Sequence, residues 1–207
     1  LNLVLPYIKP ILEEQNISAD FLSISIYNKF QENIFENKTI EPGIWWCLNE
    51  EIAQNIDLKI NNNVDYRKHL ILATEAAAIN IQQNYTLYQN WASTLLSQIA
   101  NKKVINQLEI KKRWKSNIIS IDGPAYNSLL EFLAFKIVTE NDLNNFQNLE
   151  PELLFEYKYG AGKSINLVSA DLKIDPVKIL KDNQWLKTNT IPEDEANILI
   201  RVSLGKY

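Results

Sequence analysis

Between Val64 and Trp91 the chain passes from an extended entry, Val64-Asp65-Tyr66-Arg67, through a run of small residues, Ala73-Thr74-Glu75-Ala76-Ala77-Ala78, to Trp91. Ala73, Ala77 and Ile81 recur four apart, with Ala76 on the adjoining turn, so one helical face is apolar and narrow. Alanines on such a face let neighbouring helices approach closely. The stretch therefore predicts a long central helix in a compact, mainly α domain.

The flanking sequence supplies helices to pack around it. Leu3, Val4, Leu5, Ile8, Ile11 and Leu12 form an apolar stripe. Pro6 suits a first turn and Pro10 predicts a kink or break. Ser18 is an N-cap for a second helix over 19–30. Asn37, Lys38, Pro42 and Gly43 mark a loop, a short helix follows over 49–55, and Asn61-Asn62-Asn63 is another loop. Further helical patterns run over 86–100, 102–114 and 124–138. A polar, acidic stretch at 141–151 predicts a boundary between a first domain, 1–150, and a second, 151–207.

Composition excludes several function classes. A net charge of −4 without a basic block leaves no nucleic-acid footprint. Cys47 is the lone cysteine and His69 the lone histidine, so neither a disulfide framework, a zinc site nor Cys/His catalysis is supported. No cofactor or metal is expected. No apolar run reaches the length of a membrane span and no signal peptide is present, while the absence of methionine suggests a chain beginning downstream of a removed leader. Gly162-Lys163-Ser164 imitates the end of a phosphate-cradling loop, but Tyr157 stands where that loop needs glycine.

The Val-Asp-x-Arg entry, the Ala-Thr-Glu-Ala-Ala block and Trp91, together with Leu5-Pro6-Tyr7-Ile8, Ile17 and Asp20-Phe21, resemble the lytic murein transglycosylases across most of residues 1–145. The likeness is to their membrane-bound D-type branch, whose catalytic domain has the goose-type lysozyme fold. That resemblance implies cleavage of the β-1,4 link between N-acetylmuramic acid and N-acetylglucosamine. One Glu, kept protonated by an apolar cleft, protonates the leaving oxygen, and the 6-hydroxyl of the sugar closes on C1 to leave a 1,6-anhydro product.

Aligned on Asp20-Phe21 and Ile24-Ser25-Ile26, the acid position falls on Asn28, or on Tyr27 with a slip of one residue. Neither an amide nor a phenol is a usable acid there. The Gly-aromatic-Gln motif reads Gly43-Ile44-Trp45-Trp46-Cys47 without its Gln, and the Tyr-Asn motif after Trp91 reads Ser97-Gln98-Ile99. The degenerate positions Asn28, Gln98 and Ile99 point to a non-catalytic member. The alternative is an active enzyme with a relocated acid, drawn from Glu32, Glu36, Glu41, Glu50 and Glu51. Tyr27, Trp45 and Trp46 are candidates for stacking on sugar rings.

Residues 151–207 follow a different grammar. A strand at 155–158, a turn at Gly160-Ala161-Gly162, helices over 163–172 and 176–181, and a closing strand at 198–202 are expected in that order. Asp175-Pro176-Val177-Lys178-Ile179-Leu180 and Asn183-Gln184-Trp185-Leu186-Lys187 resemble the second helix and following turn of LysM modules, with Gln184 where those modules have Pro. The resemblance implies binding of N-acetylglucosamine-containing glycans in a shallow groove, with Trp185 a fourth glycan candidate. The resulting expectation is a lysozyme-like helical domain followed by a small α+β LysM-like domain. Its expected setting is the periplasm or cell envelope, and its expected partner peptidoglycan strands or another envelope protein.

Overall fold

The computed structural model describes residues 4–34, 45–46, 48–100, 105, 123, 126–143, 152–193 and 197–203. Its helices are α1 (Leu5–Glu14), α2 (Leu22–Ile34), α3 (Glu50–Asn55), α4 (Leu70–Tyr88), α5 (Trp91–Ile99), α6 (Asn127–Leu143), α7 (Ile165–Leu172) and α8 (Pro176–Asp182). Strands β1 (Glu152–Tyr157) and β2 (Ile198–Ser203) pair antiparallel. Mainly helical architecture with one small sheet is therefore observed.

Local sequence explains most boundaries. Asn49, Asn90, Ser164 and Asp175 each accept a backbone N–H in the first turn of α3, α5, α7 and α8, as N-cap side chains should. Ser18 caps a short 3₁₀ turn, Ala19–Phe21, that leads into α2. Helix α1 runs through Pro10 instead of breaking there, with Ile8 and Leu12 buried on its inner face. Tertiary burial of that face outweighs the one backbone hydrogen bond that Pro10 cannot donate. The expected single helix over 86–100 is two helices, because Gln89 adopts a left-handed conformation (φ 51°) and Asn90 opens α5. The pattern over 102–114 lies outside the described residues, Ile105 excepted, and so does the boundary stretch at 141–151 beyond its first three residues, which close α6.

Helix α4 is central, as its small-residue face predicts. It packs on α1 and α5 and buries Ala73, Ala76, Ala77, Ala78 and Ile81. These residues join Ile8, Leu12, Ile24, Trp46 and Phe132 in one apolar core. A second core gathers Ile165, Val168, Ile179, Trp185 and Ile198 from the C-terminal segment, together with Val64 and Tyr66 from the entry to α4.

The two cores interlock across the sequence boundary at residue 150. Val64 forms an antiparallel bridge with Leu186. The Asp65 N–H donates to the Trp185 carbonyl and the Lys187 N–H to the Asn63 carbonyl, each at 2.8 Å. On the sheet, Leu154 and Leu199 belong to the first core while Ile198 and Ile200 belong to the second, since successive strand residues face opposite ways. Both outer edges are closed by side chains. The Tyr7 hydroxyl accepts the Leu154 N–H at 3.1 Å and donates to the Leu154 carbonyl. The Asn183 amide donates to the Leu199 carbonyl (2.6 Å) and accepts the Leu199 N–H (2.7 Å). Occupied edge groups offer no template for another strand at these points.

His69 ties the same junction. Its Nδ1 accepts the Leu72 N–H at the start of α4, so the ring proton sits on Nε2 and is donated to the Asn197 carbonyl at 3.2 Å. Burial holds the imidazole below its usual pKa, against opposing effects of the Asn197 hydrogen bond and the Glu156 charge. The unfolded chain therefore takes up a proton near pH 6.5 that the folded chain refuses. Stability is fully present above that pH and falls as the pH is lowered through it, by at most about 1.4 kcal/mol per pH unit for one proton. Thermal unfolding between pH 7.5 and 5.5 should show this decline. His69→Asn keeps a capping oxygen without a titrating ring and should flatten it; an equally steep decline in that variant would assign the effect elsewhere.

Candidate functional site

The four aromatic residues singled out for glycan stacking do not converge on one wall. Tyr27 on α2 is half-buried, edge-on to Phe132 at 5.5 Å and tilted against Phe135 at 5.2 Å, both on α6. Trp45 packs partly buried against the first core, its backbone N–H donating to the Arg67 carbonyl. Trp46 is enclosed, with its indole N–H on the Thr74 hydroxyl at 3.0 Å. Thr74 in turn donates to the Leu70 carbonyl, so the Thr of the Ala-Thr-Glu block anchors Trp46 to α4. Trp185 is fully buried in the second core, between Tyr66 (5.5 Å) and His69 (5.3 Å). The rings of Trp46 and Trp185 are core filling here, with no face open to a sugar.

Asn28, Gln98 and Ile99 likewise have structural surroundings. Asn28 is buried on the α2 face that also buries Ser25 and Ile24. Gln98 is buried on α5, its Oε1 accepting the Asn80 amide of α4 at 3.0 Å. Gln98 thus joins two helices by a side-chain hydrogen bond, while Ile99 packs beside them against the core. Buried amides paired in this way specify which helix faces meet.

Acid chemistry has few supports among the described side chains. Glu50 and Glu51 stand exposed in the first turn of α3, where carboxylates favour the helix N-terminus. Side chains of Glu32, Glu36 and Glu41 fall outside the described residues. The Glu75 carboxyl is pushed up, first by partial burial and then by the charge of Glu156. No cluster of three or more His, Cys, Asp or Glu able to hold a metal occurs among the described residues. Nor is any described helix long and apolar enough to cross a membrane.

Sequence reasoning passed over the concavity that the fold creates. A groove of about 860 Å³ opens between the end of α1, the 3₁₀ turn, α5 and α6, with Phe21, Trp91, Leu95 and Leu133 on its walls. At its rim the Lys136 ammonium lies 3.1 Å from Asp20. The available signal was the Gln89-Asn90 break: an Asn N-cap puts Trp91 on the first turn of a helix, where one side is unpacked. Read as the interior of one long helix, Trp91 had no such exposure. No protein-family model matches the chain, and no curated protein matches it.

Proposed function

We propose that the chain is a non-catalytic relative of the lytic transglycosylases, retained in the cell envelope to bind peptidoglycan strands. The observation that carries this reading is Asn28: a buried amide stands where the resemblance requires a carboxylic acid. An amide releases no proton near neutral pH, and loss of a general acid alone costs about 10²–10⁴ in rate. The aromatic packing of Tyr27 on Phe132 and Phe135 also supports it, because the neighbouring alternative to the acid position is turned to packing. Glu50 and Glu51 stand exposed in the first turn of α3, not enclosed in an apolar cleft.

The C-terminal segment supports a glycan partner through its strand–helix–helix–strand order, which the LysM resemblance requires. Scaffolding of another envelope protein is the second reading, favoured by the pairing of the loop backbone with itself: Gly162 N–H to Ile191 O, and Ile191 N–H to Lys163 O. Those groups are then occupied, whereas LysM-type recognition relies on backbone groups. Co-sedimentation of the chain with purified sacculi separates the two. Retention in the pellet is expected; a chain that stays in the supernatant would move the assignment to a protein partner.

A further inference from the structure

We draw no further inference here: the strongest candidate, the apolar groove between the end of α1, the 3₁₀ turn, α5 and α6 together with the exposed Leu130, Ile137 and Val138 of α6, carries nothing because no feature of the structure shows what covers it.

Discussion

Trp185→Ala is expected to destabilise the chain by about 3–5 kcal/mol, the range for truncating a fully buried aromatic ring. The indole is enclosed by Tyr66 and His69 on the α4 side and donates to the Asn183 side chain at 3.1 Å. Asn183 is itself fully committed, donating to the Ile179 and Leu199 carbonyls and accepting the Leu199 N–H. Removing the ring therefore leaves a cavity between the entry to α4 and the C-terminal segment, and frees one acceptor of an amide that holds the edge of β2. Because Val64 and Tyr66 sit in the second core and Leu154 and Leu199 in the first, loss should spread through both. Urea unfolding followed by circular dichroism and by fluorescence should give coincident transitions, moved to lower denaturant. Two separated transitions, with only the C-terminal segment weakened, would contradict interlocked cores.

Asp65→Ala is expected to cost a similar amount, about 3–5 kcal/mol, for an electrostatic reason. Asp65 and Arg67 are only 1% and 4% exposed and meet in a two-pronged pair, Nε to Oδ1 at 2.9 Å and a terminal nitrogen to Oδ2 at 2.7 Å. Burial pushes the Asp65 carboxyl up, and the Arg67 guanidinium more than offsets it, holding the group below the usual carboxylate range. Removing Asp65 takes from the buried guanidinium both of these hydrogen bonds and the carboxylate charge beside it. Replacing both, as Asp65→Leu with Arg67→Met, also removes that buried charge and should recover a large part of the loss, so the two effects are far from additive. Chemical denaturation of the two single variants and the double variant measures this. Additive losses would mean that the pair is not coupled in the way the geometry requires.

The helical centre was legible from spacing. Ala73, Ala77 and Ile81 announce a buried narrow face, and that face is the one α4 buries. The strand–helix–helix–strand order of the C-terminal segment was legible too, because Ser164, Asp175 and Pro176 punctuate it. Pairing across long sequence distances was not. Nothing in the Asn61–Arg67 stretch signals that its backbone will meet residues 185–187, since the hydrogen bonds are main-chain groups that every residue carries. The roles of the tryptophans escaped for a related reason. A Trp fills a core with the same apolar ring that it would offer a ligand, and only its exposure separates the two cases: Trp46 and Trp185 are enclosed, while Trp91 is partly exposed. Sequence patterning also overextended a helix across Gln89-Asn90, which hid the corner where Trp91 projects.

The central claim, binding of peptidoglycan without cleavage, is tested most directly by incubating the purified chain with sacculi and analysing the released material by mass spectrometry. The account predicts no 1,6-anhydro muropeptides above a protein-free control, with the chain recovered on the sacculi. Anhydro products that accumulate with time and with protein concentration would contradict it, and would mean that an acid other than Asn28's missing carboxyl reaches the glycosidic oxygen.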